Sequence, residues 1–263
     1  MLPADGNRGT MTPKIHFTAS EAEMAQQALP VLSALYGTVD LDRADVVVAL
    51  GGDGFMLQTL HSLTGRGLPV YGMNRGTVGF LMNGFAEGGL LERLDAAEET
   101  VINPLRMRAF GADGSVHEAL AINEVSMLRE GPQAAKLRIH VDGRMRMEEL
   151  VCDGALIATP AGSTAYNYSA HGPILPINSE VLALTAIAPF RPRRWRGALL
   201  PKTAQVEVEV LTPERRPVMA DADSRFVRHV VRVQISSAQD VRHRLLFDSG
   251  HGLEERLLRE QFV

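Results

Sequence analysis

Apolar and polar residues alternate along the chain with two different periods. From about residue 14 to residue 100, short apolar runs are followed by segments whose apolar residues recur at helical spacing. This pattern predicts strands at 14–17, 45–50 and 70–73 and helices at 20–36, 54–65 and 87–97. Ser20 with Glu23 has the form of a capping box at the start of the first helix, and Gly37 is placed to end it. Strands that alternate with helices imply a parallel sheet covered by helices.

Beyond residue 105 the period changes to two, which is typical of antiparallel strands. Hairpins are predicted where Asp113-Gly114 and Asp142-Gly143 separate strand-like runs, because an Asp-Gly pair supplies the positive φ of a tight turn. The strand-like runs of this half are 106–110, 116–121, 136–141, 144–147, 155–158, 205–210 and 231–235. Near the end, the leucines of residues 253–262 fall on one face of a predicted helix.

These patterns predict two domains and two terminal segments. Residues 1–12 are expected to be a disordered tail, and residues 13–104 an α/β domain. Residues 105–236 are expected to form a domain of antiparallel β-sheet, and residues 237–263 to return to the first domain. The predicted fold class is therefore an α/β domain joined to a β domain.

Composition limits the kinds of partner. The chain of 263 residues carries a formal net charge of −4, which argues against nucleic acid because binding to phosphates relies on positive charge. The sequence holds neither a signal-peptide pattern nor an apolar run long enough for a membrane span, so a cytoplasmic protein without membrane contact is expected. The single cysteine, Cys152, agrees with a reducing compartment. A small-molecule ligand is the expectation that remains.

The stretch GGDG at residues 51–54 places one carboxylate among three glycines. It lies between a predicted strand and a predicted helix, where backbone N–H groups attract anions. The P-loop pattern is absent because the sequence holds no Gly-Lys pair, and the glycine spacing is not that of a Rossmann loop. From these residues alone two interpretations of Asp53 stay open: it caps the helix, or it takes part in chemistry.

Three later segments carry further candidate residues. NRGTVGF at residues 74–80 follows a predicted strand, at the end where a parallel sheet opens to ligands, although taken alone it favours a plain glycine-rich turn. Asn123 and Glu124 form a polar pair between two apolar runs, and burying them needs partners; ribose hydroxyls, an adenine ring or backbone amides would all serve. Residues 153–173 are rich in small hydroxyl, amide and glycine residues, and Tyr166 offers a face for stacking, so this segment has the composition of a ligand loop.

Taken in order, four motifs closely resemble those of the NAD kinase family, whose members phosphorylate NAD to NADP. They are GGDG at 51–54, NRGTVGFL at 74–81, NE at 123–124 and DGALIATPAGSTAYNYSAHGPI at 153–174. The resemblance implies an N-terminal α/β domain similar to that of diacylglycerol kinases and phosphofructokinases, and a C-terminal antiparallel domain of β-sandwich type. It also implies that the C-terminal helix packs back on the first domain.

The resemblance also assigns roles to individual residues. Asp53 would be the catalytic carboxylate. The residues that would contact the nucleotides are Gly51, Gly52, Gly54, Asn74, Asn123, Glu124, Asp153, Ala161, Thr164, Ala165, Tyr166, Asn167, Tyr168, Ser169 and Asp223. Two of them depart from the family pattern: Asp223 lies in Asp221-Ala222-Asp223, where the family often has a DGQ-like triplet, and Ala161 stands where a serine is common. No residue is expected to form a fixed metal site.

The implied reaction is phosphoryl transfer from ATP or polyphosphate to the 2′-hydroxyl of the adenosine ribose of NAD. Because the donor is polyanionic, a divalent cation, Mg²⁺, is expected to accompany it. NAD and ATP are the expected substrates, and a homodimer or homotetramer is the expected assembly. A lipid kinase that shares the GGDG turn and a non-catalytic NAD(P)-binding sensor are the alternatives. Formation of NADP from NAD and ATP would separate the kinase from both.

Overall fold

The structure, a computed structural model, describes residues 12–76 and 79–250. The predicted tail up to residue 11 and the predicted helix over 253–262 lie outside these residues. The described chain divides into two compact units: the first comprises residues 12–100 with 244–250, and the second comprises residues 101–243. Each unit has its own sheet system and its own core.

The secondary structure follows the two periods of the sequence. Up to residue 102 the elements are β1 (Ile15–Ala19), α1 (Glu23–Tyr36), β2 (Val46–Gly51), α2 (Asp53–Ser62), β3 (Pro69–Asn74), α3 (Leu90–Asp95) and β4 (Glu98–Ile102), with a 3₁₀ turn at Leu41–Arg43. They are followed by β5 (Leu105–Gly111), β6 (Val116–Ala121), β7 (Glu124–Arg129), β8 (Ala135–Val141), β9 (Arg144–Cys152), β10 (Gly154–Ala158), a 3₁₀ turn (Ala161–Thr164), α4 (Tyr166–Ser169), β11 (Val181–Ile187), β12 (Gly197–Pro201), β13 (Val206–Val210), β14 (Val218–Ala222), β15 (Arg225–Val227), β16 (Val230–Ser237) and β17 (His243–Phe247). Within the described residues, every helix is too short or too polar to cross a membrane.

The first unit is built on a mainly parallel sheet, as the alternation of strands and helices predicted. Its strand order is β1-β2-β3-β17-β4, and β1, β2, β3 and β17 pair in parallel. All six residues of β2 are buried, which explains its unbroken apolar run. Ala28 and Leu32 of α1 share one core with Val48 and Leu50 of β2. The sheet thereby holds the carboxyl end of β2, where the GGDG stretch begins.

The start of α1 differs from the prediction. The helix begins at Glu23, and no side chain caps its first turn. Ser20 lies two residues before the capping position, where its backbone N–H donates to the Leu50 carbonyl and its own carbonyl accepts from Gln26 Nε2. The predicted capping box was therefore wrong. The predicted end is confirmed, because Gly37 follows the helix with a φ of 75°.

The second unit consists of two six-stranded sheets around one core. The sheet orders are β6-β5-β16-β13-β8-β9 and β12-β11-β10-β7-β14-β15. The inward residues of both sheets belong to a single apolar cluster, and burial alternates strictly along β8 and β13. Both predicted hairpins are present, with positive φ at Gly114, Asp142 and Gly143. The antiparallel character predicted for this half is therefore confirmed.

One of these sheets carries carboxylates on the face turned away from the core. In β7, Val125 and Met127 belong to the core, so Glu124 and Ser126 take the opposite face. β7 lies between β10 and β14, and Asp221 of β14 is directly opposite Ser126. Acidic side chains from two neighbouring strands are therefore close together on this face.

Candidate functional site

Asp53 stands at the junction between β2 and α2, in the first unit. It is the first residue of α2, and Gly52 before it adopts an extended conformation. The carboxylate turns away from the helix and accepts two backbone hydrogen bonds from another loop, from Phe80 N–H at 2.7 Å and from Leu81 N–H at 3.0 Å. No side-chain hydrogen bond caps α2. The capping interpretation of Asp53 is thus excluded in this structure.

The loop that holds Asp53 is itself attached to β2 and β3. The Arg75 N–H donates to the Gly51 carbonyl at 2.8 Å, and the Asn74 side-chain oxygen accepts the Gly76 N–H at 3.0 Å. The described part of this loop therefore begins with a turn that the Asn74 side chain closes. Asn74, predicted to contact nucleotide, has its Oδ1 engaged within the chain.

The three glycines of GGDG meet different surroundings. A side chain at Gly51 would lie 2.9 Å from the Phe55 Cβ, so packing within the chain explains this glycine. A Cβ added at Gly52 or Gly54 would meet no atom of the described structure within 4 Å. Among the described residues, no atom blocks the space at Gly52 and Gly54 beside Asp53. This space lies at the N-terminus of a helix, where backbone N–H groups and the helix dipole favour anions.

Asn83 fixes the far end of the same loop. It is fully buried and exchanges backbone hydrogen bonds with β3: Asn74 N–H donates to its carbonyl and its own N–H donates to the Gly72 carbonyl, each at 2.8 Å. Its side chain donates to the Leu246 carbonyl and accepts the Asp248 N–H. The chain between Phe80 and Asn83 therefore has little freedom to move relative to the sheet.

An ion pair next to Asn83 ties the end of β17 to this loop. Arg93 donates to both carboxylate oxygens of Asp248, at 2.9 and 2.6 Å, and to the Gly84 carbonyl at 2.7 Å. Tyr71 also donates its hydroxyl to Asp248. The pairing with Asp248 raises the pKa of Arg93 against the opposing effect of burial. The network holds segments together that lie more than 150 residues apart in sequence.

In the second unit, the Asn123-Glu124 pair is shaped by Asp223. The Asp223 carboxylate accepts backbone N–H groups from Ile122, from Asn123 at 3.1 Å and from Glu124 at 3.4 Å. Both Asp223 and Ser224 have positive φ, as a tight turn requires. Asp223, which departs from the family pattern, thus organises the backbone of two other predicted residues.

Glu124 is the most perturbed carboxyl group in the second unit. Burial, followed by the charges of Asp223 and Asp221, raises its pKa to about 8, although a hydrogen bond from the Tyr166 backbone acts in the opposite direction. Its Oε2 is buried and has no hydrogen-bond partner among the described residues. The pKa of Asp221 is also raised, first by burial and then by Asp223. This face therefore favours protonated carboxyl groups, or donors that satisfy ionised ones.

The loop after β10 is held from inside. The Thr159 hydroxyl donates to the Ile122 carbonyl and accepts the Gly162 N–H. A Cβ at Gly162 would lie only 2.2 Å from the Asn123 carbonyl oxygen, so this position must be glycine for the loop to lie against the Asn123-Glu124 pair. The loop after β10 therefore packs directly against the Asn123-Glu124 pair.

Asn167 is the internal anchor of that loop. It is fully buried, its amide donates to the Ser163 and Pro173 carbonyls, and its Oδ1 accepts the Thr185 hydroxyl at 2.6 Å. The Asn167 side chain is thus engaged within the protein. Its predicted contact with nucleotide would require these bonds to be given up.

The other predicted residues of the loop differ in accessibility. Ala161 is buried, Thr164, Ala165 and Tyr166 are half-buried, and Tyr168 and Ser169 are exposed. Burial and the nearby Glu124 raise the pKa of Tyr166. The half-buried and exposed members present atoms to solvent within reach of a ligand.

Asp153 lies at the end of β9 and is paired with Arg129. Its carboxylate accepts the Arg129 Nε–H at 2.5 Å, and the two residues also share a backbone hydrogen bond. Both side chains are partly exposed, so the pair itself contributes little to stability.

One group among the described residues brings together three side chains that could bind a metal. His140, Glu207 and Glu209 each offer a ligand atom within 4.8 Å of the others. Both carboxylates are already engaged, however: Glu209 pairs with Arg138 at 3.1 Å, and Glu207 accepts the Gln234 amide at 2.8 Å. Two acceptors that are already hydrogen-bonded make a weak cation site.

Sequence reasoning missed the residues that surround the carboxylates of Asp53 and Glu124. Phe80 and Leu81 hold Asp53 through backbone N–H groups, which no side-chain pattern reveals. Asp221 was noted only as part of a triplet, although it adds its charge to the surroundings of Glu124. Asn83 had a usable signal, because a lone amide inside the apolar stretch FLMNGF must find buried partners.

Comparison with known proteins agrees with this architecture. Residues 1–88 match the family model of the ATP-NAD kinase N-terminal domain, and residues 122–241 match that of the ATP-NAD kinase C-terminal domain. The chain is 69% identical over 254 residues to the NAD kinase of Cereibacter sphaeroides (strain ATCC 17029 / ATH 2.4.9), and 58% identical over 254 residues to that of Hyphomonas neptunium. Each alignment covers 96% of this chain and 100% of the relative.

Two solved structures have a similar fold. An NAD kinase from Archaeoglobus fulgidus, in complex with ATP, aligns with a TM-score of 0.72 at 25% identity and covers 95% of this chain and 97% of its own. Yeast NADH kinase complexed with NADH aligns with a TM-score of 0.81 at 20% identity and covers 95% of this chain and 88% of its own. At that identity the yeast enzyme demonstrates the fold alone.

The fold and the matched domains define a kinase of two domains. More narrowly, the chain belongs to the NAD kinase family. Its activity is the phosphorylation of NAD to NADP, with ATP as phosphoryl donor. The resemblance inferred from four sequence motifs is confirmed, and the lipid-kinase and sensor alternatives are set aside.

Proposed function

We propose that Asp53 is the catalytic carboxylate of this reaction. The observation that supports it is the pair of backbone hydrogen bonds from Phe80 and Leu81, which hold the carboxylate in one orientation beside open space at Gly52 and Gly54. A carboxylate oxygen has a second lone pair when one is used. Asp53 can therefore keep its loop contacts and still accept a hydrogen bond from a substrate hydroxyl.

The acceptor hydroxyl is the 2′-hydroxyl of the adenosine ribose, since NADP differs from NAD by a phosphate there. Asp53 orients this hydroxyl toward the γ-phosphorus and takes its proton late. The new ribose oxygen–phosphorus bond forms as the bond from the γ-phosphorus to the bridging oxygen of ADP breaks. Because phosphoryl transfer passes through a loose transition state, orientation matters more than early proton removal.

The N-terminus of α2 binds the phosphates of the donor in this proposal. The first N–H groups of a helix have no intrahelical partner, and the open positions Gly52 and Gly54 allow phosphate oxygens to approach them. A divalent cation, Mg²⁺, neutralises charge on the β- and γ-phosphate oxygens when bound. We assign it mainly to the phosphates of ATP, because Asp53 is the single carboxylate of the GGDG turn.

NAD is bound by the second unit in this proposal. Glu124 has a buried Oε2 without a partner among the described residues, and its carboxyl group turns toward the ligand to accept hydroxyl donors. Asn123, the residue before it, supplies a further contact. Asp153, Thr164, Ala165, Tyr166, Tyr168 and Ser169 supply further contacts. Asn167, Asp223 and Ala161 act by shaping the loops, because their side chains are engaged within the chain or buried.

Other sequence predictions also stay predictions. Polyphosphate as an alternative donor, a homodimer or homotetramer, a cytoplasmic location, and the likeness of the first domain to diacylglycerol kinases and phosphofructokinases all derive from the resemblance and the composition. Size-exclusion chromatography with light scattering measures the assembly, and turnover with polyphosphate in place of ATP measures the donor preference.

Asp53→Asn tests the catalytic assignment. The amide keeps the size of the side chain but is a far weaker proton acceptor, so we expect turnover to fall by about two to four orders of magnitude. The dissociation constant for NAD should stay within a few-fold of the parent value, as measured by calorimetry. Asp95→Asn, an exposed aspartate at the end of α3, is the matched control. Turnover near the parent value in Asp53→Asn would contradict the proposal.

A further inference from the structure

The loop that holds Asp53 passes so close to it that one position has no room for a side chain. An ideal Cβ built on Gly79 would lie 2.3 Å from Asp53 Oδ1 and 2.6 Å from its carboxyl carbon. Side-chain and carboxylate atoms do not approach one another that closely. The two hydrogen bonds from Phe80 and Leu81 are thus possible only if the residue before them is glycine.

We propose that Gly79 is a positioning residue for the catalytic carboxylate. Its missing side chain lets Asp53 lie flat against the backbone of residues 79–81, and any larger residue turns the carboxylate away from this orientation. The reason is space, because the Asp53 carboxylate occupies the place that a Cβ at Gly79 would take. The proposal rests on the proposed function of Asp53.

When a side chain is added at Gly79, the Asp53 carboxylate moves more easily than the backbone of residues 79–83. Asn83, four residues after Gly79, is held by backbone bonds to β3 on one side and by side-chain bonds to Leu246 and Asp248 on the other. The Asp53 side chain, by contrast, needs only a rotation about its own bonds to avoid the added methyl group. A substitution at Gly79 therefore breaks the hydrogen bonds to Phe80 and Leu81 and leaves the sheet intact.

Gly79→Ala with Gly84→Ala as matched control tests this inference. Gly84 belongs to the same loop and is exposed, and a Cβ there meets no atom within 4 Å. Misplacing a reacting group by about 1 Å costs on the order of 100-fold in rate, so we expect kcat of Gly79→Ala to fall by about that factor. KM values for NAD and ATP should stay within about threefold, because ligand contacts are not removed. Gly84→Ala should keep the parent kcat.

A double-mutant cycle with Asp53→Ala decides whether Gly79 acts through Asp53. Asp53→Ala removes the atoms that collide with the new methyl group. We therefore expect Gly79→Ala to lower kcat and Tm in the parent chain, and to lower neither in the Asp53→Ala background. Equal losses in both backgrounds, or a parent-like kcat in Gly79→Ala, would overturn the inference.

The same cycle separates this inference from the proposed function. If Asp53→Ala keeps the parent kcat, the catalytic assignment of Asp53 is wrong and Gly79 cannot act on turnover through it. The Tm values then still report whether the two residues collide. If Asp53→Ala loses turnover and Gly79→Ala does not, the catalytic assignment stands and the positioning role of Gly79 is wrong.

Discussion

The two units hold their candidate carboxylates in opposite ways. Asp53 in the first unit receives two backbone N–H groups at 2.7 and 3.0 Å, so the chain itself satisfies and orients it. Glu124 in the second unit has a buried oxygen that finds no partner in the described part of the chain, and it lies near the charges of Asp221 and Asp223. In the roles proposed above, the group that acts on a hydroxyl is fixed before substrate arrives, whereas the group that binds substrate keeps its acceptor capacity for the ligand.

This difference is energetic as well as geometric. Orienting Asp53 uses hydrogen bonds that stabilise the folded chain, while keeping Glu124 buried and under-satisfied destabilises it. A ligand that donates to Glu124 would offset that cost and so would favour its ionised form. The proposed catalytic carboxylate and the proposed binding carboxylate of this chain therefore differ in how far the chain itself satisfies their oxygens.

The largest loss of stability is expected when Asn167, the internal anchor of the loop after β10, is replaced. Asn167→Ala removes the hydrogen bonds to Ser163, Pro173 and Thr185 and leaves the polar partners on Ser163 and Thr185 buried. Breaking such a buried network should lower the free energy of unfolding by about 4 kcal/mol. Urea unfolding at pH 7 measures it, with the exposed Asn178→Ala as control. A loss as small as that of the control would mean that the loop is not held from inside.

A smaller, pH-dependent effect is expected at Glu124. Its carboxyl group has an ordinary pKa of 4.5 and a pKa of about 8 in the folded chain. Between these values the folded state binds more protons than the unfolded state, so the folded chain loses stability as the pH rises. The penalty is absent below about pH 4.5 and complete above about pH 8. Glu124→Gln should remove it.

Urea unfolding of the ligand-free protein at pH 5.5 and pH 8.5 measures this difference. We expect Glu124→Gln to exceed the parent chain in stability at pH 8.5 by on the order of 3 kcal/mol, and by clearly less at pH 5.5. The exposed Glu214→Gln should show no such change between the two pH values. If the advantage of Glu124→Gln were equal at both, Glu124 would not be the group that titrates.

The smallest effect on stability is expected at Gly54. It is the second residue of α2, and an alanine side chain there meets no atom of the described structure. Because alanine favours helix over glycine, Gly54→Ala should raise the free energy of unfolding by about 0.5 kcal/mol. KM for ATP should nevertheless rise, since the methyl group takes space that we assign to phosphates. Unchanged ATP kinetics would remove Gly54 from the proposed phosphate site.

The sequence predicted the sheets better than it predicted the site's contacts. The buried run of β2 and the Asp-Gly hairpins depend on local composition and periodicity, so they could be read from neighbouring residues. Asp53 could likewise be singled out by its three glycines. Its partners could not, because Phe80 and Leu81 contribute backbone N–H groups that every sequence has.

Contacts that depend on the pairing of distant strands could not be predicted from the sequence either. Asp223 reaches the backbone of residues 122–124 across about a hundred positions, and this depends on how β14 pairs with β7. No local pattern specifies that pairing. The same holds for Asp248, whose partner Arg93 lies 155 residues earlier.

The insertion of β17 between β3 and β4 has a consequence for the order of events on the ribosome. The strand His243–Phe247 completes a sheet whose other members all lie before residue 103. Domains generally fold in the order of synthesis, N-terminal first, but here the first unit lacks an interior strand until residues 243–247 have been synthesised. The strands β5 to β16 of the second unit are synthesised before β17. During translation the N-terminal unit therefore starts first but lacks its full sheet until after these strands have been made.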